Sequence, residues 1–97
     1  FRELLNHIAY GIRWWEDNYI KKTESAWNPP DANKSRKKII EYLRQSYDSL
    51  KTTLDSETLD TEKIQGFHAT LDHITHHRGQ AIVYLRYKSL EPPEYVY

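Results

Sequence analysis

The stretch Phe67-His-Ala-Thr-Leu-Asp-His-Ile-Thr-His-His-Arg-Gly-Gln-Ala-Ile-Val-Tyr-Leu-Arg86 decides how the rest of the chain is read. In and just before it, Ile64, Phe67, Leu71, Ile74, Ala81 and Leu85 recur at three- and four-residue steps, as one buried face of a helix requires. Four of the five histidines fall in the same stretch. His73 and His77 are i and i+4, so their side chains point the same way, one turn apart. At about 100° per residue they lie on the flank of the apolar arc, with Thr70, Gln80 and Tyr84 continuing that flank. Two imidazoles at the edge of a core make a metal clasp, although the pair lacks the glutamate of the zinc-protease motif and also suits a solvated face.

Composition sets the frame around this helix. A chain of 97 residues forms one domain. Its mean hydropathy of −0.88 is polar for a stand-alone globule, even with thirteen aromatic residues to supply contact area. The apolar supply therefore suggests a partner, either another copy or a segment outside this chain. Fourteen basic and fourteen acidic residues cancel, which argues against a nucleic-acid binder that depends on a positive field. Without cysteine there is no disulfide framework and no thiolate metal site. No apolar run approaches membrane-spanning length and no signal peptide is visible, so the expectation is a soluble, cytoplasmic domain.

The first helix is expected over residues 1 to about 22, with Phe1, Leu5, Ile8, Ile12, Trp15 and Tyr19 on its apolar arc. His7 lies on the flank of that arc beside Leu4, Gly11, Trp14 and Asn18. Its offset has the same sense as that of His73 and His77, but spacing alone favours a core-edge histidine bonded to a neighbour. Gly11, one turn later, removes a side chain where something comes close, or simply allows tight helix packing. Asn28-Pro29-Pro30-Asp31 breaks the helix, and Trp27 before it is expected to plug the end of the core in preference to forming the rim of a cleft.

A second helix is expected over about 34–54, capped by Asp31 or Asn33, with Arg36, Ile40, Leu43, Tyr47, Leu50 and Leu54 as its seam. Lys34, Arg36, Lys37 and Lys38 read as a solvated first turn. The third helix is expected from about Glu62 to Leu90, stopped by Glu91-Pro92-Pro93, with Tyr95-Val96-Tyr97 packing back. Arg78 points into the apolar arc, where a buried guanidinium needs a partner, and Gly79 permits close approach of another helix or subunit. With three isolated glycines and little β-patterning, the fold class is all-α, an antiparallel helical bundle.

Asp72-His73-Ile-Thr-His76-His77-Arg78-Gly79-Gln80, with Leu85-Arg86 and Leu90-Glu91-Pro92-Pro93, resembles the last helix of DinB-like proteins. Leu4-Leu5-Asn6-His7-Ile8 with Trp14-Trp15 resembles that family's second helix. The resemblance implies a four-helix bundle, usually dimeric, holding a divalent metal on three histidines. Carried onto this chain, the ligands are His7, His73 and His77. His68 and His76 are left out. No counterpart of the family's first helix is present, and the chain opens on Phe1 inside a helical pattern, so that helix is expected to be missing from this sequence.

The three-histidine set does not choose among Zn, Ni, Fe and Cu. The implied activities are transfer to or from a low-molecular-weight bacterial thiol, or hydrolysis, with Asn18, Trp14, Gln80 and Tyr84 as supporting or substrate-contact candidates. The competing expectation is a non-catalytic, dimeric, stress-associated helical interaction module.

Overall fold

A computed structural model describes residues 1–94, and the expected packing of the Tyr95–Tyr97 tail lies outside them. Among the described residues the chain is all helical: α1 spans Arg2–Trp15 and passes into a π-helical turn at Glu16–Ile20, α2 spans Arg36–Ser56, and α3 spans Thr61–Tyr87. Ser35 caps α2, its hydroxyl accepting from the Lys38 N–H, in place of the expected Asp31 or Asn33. Asp31 instead accepts from the Asn33 N–H two residues on, a local turn that competes with capping. Asp60 caps α3 through the Lys63 N–H at 2.8 Å. That bond, first among its causes, holds the Asp60 carboxyl below the ordinary range.

The bundle is not uniformly antiparallel. Arg13 donates to the Ser46 hydroxyl, and further along both helices Ser49 and Thr53 donate to Glu16, so α1 and α2 run in the same direction. Phe1 meets Tyr84, and Gly66 lies against Tyr19, so α3 runs against α1. Connection length explains the difference. The link between α2 and α3 is too short for anything but a reversal, whereas residues 21–35, at up to about 3.3 Å each, can carry the chain back along all of α1.

The helix α1 lies between the other two, and α2 and α3 do not approach within 8 Å at Cα. Ile8, Ile12, Ile20 and Leu50 form the core, with Leu4, Leu5, Leu43, Leu54, Phe67 and Ile74 packed around it. The buried face of α2 is Ile39, Ser46, Leu50 and Thr53, so of the expected seam Leu50 is buried, Leu43 and Leu54 pack at the edge of the core, and Tyr47 is exposed. Ser46 and Thr53 are drawn inward because Arg13 and Glu16 supply their hydrogen bonds. Glu16 is fully buried, its carboxylate accepting from Ser49 and Thr53 and pairing with Lys21 at 3.2 Å.

The same shift occurs on α3. Gly66 and Thr70 are buried, while Ile64 and Leu71 are exposed, because α3 packs only against α1 and its π-turn. Gly66 is required there, since a Cβ would stand 2.5 Å from the Tyr19 Cβ. Arg78 is exposed rather than directed into the core, and its charge opposes the burial that raises the Tyr47 hydroxyl. At Gly79 an added Cβ would meet nothing within 4 Å, so no helix of this chain uses the close approach that glycine allows.

Candidate metal centre

Because α3 runs against α1, His7, in the second turn of α1, meets His73 and His77 in the middle third of α3. The ring nitrogens that these three offer lie within 4.8 Å of one another, with all three side chains partly buried. Nε2 of His7 and Nε2 of His77 are 3.0 Å apart. A tetrahedral zinc, with nitrogens at about 2.0–2.1 Å, separates them by about 3.3 Å. The observed spread is within a sub-ångström adjustment of that arrangement at its closest pair.

The local sequence fixes the His77 ring. His77 donates from Nδ1–H to Oε1 of Gln80 at 2.6 Å, which places its lone pair on Nε2, facing His7. Gln80 sits three residues on along the same helix, so this orientation comes from α3 alone. His73 stands over Gly11, where a Cβ would come within 2.2 Å of Nε2. The glycine is thus the seat of that imidazole. Burial first, then the neighbouring His77, pushes the His7 ring below its ordinary value. Burial first, then His77, His7 and His76, pushes His73 down to about 4, with a backbone contact to His7 opposing. Both rings are therefore neutral near pH 7, the form that ligates a metal.

One atom tests whether these residues fit a metal. A hydrogen bond between His7 and His77 satisfies two of the rings, but Nε2 of His73 is buried with no partner. Buried polar nitrogens are normally partnered. A cation among the three rings supplies the missing partner, and the glycine seat, the neutral imidazoles and the nitrogen spacing all suit one.

The remaining candidates separate. Gln80 is at the site, and its amide nitrogen lies 3.5 Å from Nε2 of the exposed His76. Tyr84 is exposed and packs edge-on against Phe1, two turns beyond His77. Asn18 and Trp14 face the returning segment instead. Asn18 donates to the Trp14 carbonyl and the Ser25 hydroxyl and accepts from the Ser25 N–H, while the Trp14 indole donates to the Ser25 carbonyl. His68 is exposed and apart.

Trp27 departs from its preferred expectation. It does not plug the core: it is 44% exposed, and its ring centroid lies 5.3 Å from that of His7. The signal was a stripe at four-residue steps along α1, Arg2, Asn6, Tyr10, Trp14 and Asn18. Each of these side chains hydrogen-bonds residues 25–34. No protein-family model, characterised protein or solved structure matches the chain.

Proposed function

We propose that this chain is a divalent-metal-binding domain of the DinB-like type, in which His7, His73 and His77 hold the ion and leave coordination positions open. The observation that carries the reading is the convergence of His7, from α1, on the His73–His77 pair of α3, with Nε2 of His73 otherwise orphaned. Three protein ligands are the pattern of catalytic rather than structural sites, which close all four positions. When bound, such an ion supplies Lewis acidity, lowering the pKa of a water or thiol. The donor set is neutral, so the ion keeps its full charge and favours an anionic ligand. This supports a thiol transferase or hydrolase acting with a low-molecular-weight thiol or another small molecule; the homodimer is drawn from the DinB-like resemblance alone.

A second reading, a non-catalytic helical interaction module, draws on a different observation. Phe1, Leu5, Ile39, Ile40, Tyr84 and Leu85 line an apolar groove of 630 Å³ at the open side between α2 and α3. Neither reading involves a membrane span, since no described helix is long and apolar enough to cross one.

Metal analysis separates the two. The protein purified without a histidine tag is expected to hold one equivalent of divalent metal, lost in both His73→Ala and His77→Ala. Trace metal that is unchanged in both variants leaves only the interaction module.

A further inference from the structure

The segment joining α1 to α2 is irregular, about fifteen residues long and almost wholly exposed, yet it is tied down along its length. Most connections in compact domains are about 4–6 residues, and long ordered ones are commonly functional. Lys22, at φ 60°, reverses the chain at the end of the π-turn, and its ammonium pairs with Glu62 of α3. From there the α1 stripe holds it in sequence. Trp14 and Asn18 hold Ser25, Asn6 donates to the Pro30 carbonyl at 2.9 Å, and Arg2 donates to the Lys34 carbonyl at 3.1 Å.

Tyr10 supplies the most local constraint. Its hydroxyl donates to the Ala26 carbonyl at 3.3 Å and accepts from the Asn28 N–H at 2.8 Å. These are the residues on either side of Trp27, so the indole between them is fixed in place. Tyr10 and Trp14 pack against it in T-shaped geometry at centroid distances of 4.8 and 5.6 Å, and the tilted His7 ring lies at 5.3 Å. Trp27 as a whole remains 44% exposed to solvent beside a proposed metal ligand. An aromatic surface braced in this way and left uncovered is pre-organised to receive another ring.

We infer that Trp27 is a specificity-determining residue of the proposed metal site, a stacking platform for a ligand that carries a planar aromatic group next to its metal-binding head. The inference rests on the metal reading and adds the substrate class to it. An organic cation, the other guest an exposed indole attracts, is disfavoured here. The divalent ion repels it. Tyr10 acts through Trp27 as a positioning residue.

The test compares two hydroxamates that share a metal-binding head, acetohydroxamate and benzohydroxamate, titrated calorimetrically into the zinc-loaded protein. The wild type is expected to prefer benzohydroxamate by about tenfold, the scale of one aromatic stacking interaction. In Trp27→Ala the preference falls to within about twofold, a loss of most of that tenfold effect. Acetohydroxamate affinity, zinc stoichiometry and helicity by circular dichroism stay unchanged. Trp27→Phe, which keeps a ring, retains part of the preference. Equal affinities in the wild type, or a preference that survives Trp27→Ala, overturn the platform while leaving the metal site standing. Wild-type protein that holds no stoichiometric zinc overturns both.

Discussion

Replacing Gly11 by alanine sets two effects of opposite sign against each other. Away from any neighbour, alanine in a helix interior is favoured over glycine by about 1 kcal/mol. Here the added methyl would stand 2.2 Å from Nε2 of His73, 2.8 Å from Cε1 and 3.0 Å from Cδ2. Ordinary contact begins at 3.4 Å, so the ring must retreat by about 1.2 Å (3.4 less 2.2). Metal coordination tolerates roughly 0.2 Å. The imidazole is partly exposed and can swing outward, so the metal-free protein is expected to keep its stability to within about 1 kcal/mol. Metal affinity has no such escape. Removing one of three ligands is expected to weaken zinc by about 100-fold or more, beyond the 10–100-fold typical of losing an outer partner.

Competition titration against a chromogenic chelator measures the affinity, and urea unfolding in EDTA measures the fold. Gly79→Ala is the control. Its Cβ enters open space, so a gain of up to about 1 kcal/mol is expected with zinc affinity unchanged. If Gly11→Ala binds zinc within a few-fold of the parent, His73 is not seated over Gly11 and the geometric argument fails.

Three other perturbations test separate parts of the structure. Gln80→Ala is expected to weaken zinc by about tenfold by freeing the His77 ring, whereas Gln80→Glu, which keeps the acceptor, retains the affinity; equal losses in both would refute the orienting role. Acidification should destabilise the metal-free fold. Native His73 titrates near 4 rather than 6.5, so the unfolded chain takes up a proton that the native state refuses. Stability is full above 6.5 and falls as the pH drops toward 4, by on the order of 1–2 kcal/mol after allowance for solvent screening. Urea midpoints at pH 7 and pH 5 check this, and His73→Ala should flatten the slope. Glu16→Ala strips the partner from Ser49, Thr53 and Lys21 and is expected to cost about 2–4 kcal/mol in unfolding free energy. Because it lies away from the histidines, zinc affinity per folded molecule should not change.

Helices, breaks and the histidine pair were legible because they are local. Periodicity placed three helices, Pro29 and Pro30 marked the break, and the i, i+4 relation of His73 and His77 follows from helical geometry alone. Where partners mattered, the pattern misled. Ser46 and Thr53 had no place on the expected seam, yet they are buried because Arg13 and Glu16 bond them. Arg78 and Tyr47 read as seam residues and stand outside it, since hydrophobic period gives a helix a face but not the rotation at which a neighbour meets it.

By itself, then, the amino-acid order determined three amphipathic helices and a two-imidazole clasp on the last of them. Tertiary structure alone decided that α2 runs parallel to α1, that His7 completes a three-nitrogen cluster over Gly11, and that Trp27 stands beside it. The physical reason is range. Backbone hydrogen bonding repeats every few residues and can be read from spacing, whereas the three-histidine cluster joins atoms seventy positions apart, and their meeting depends on how a fifteen-residue connection is tied along a helix.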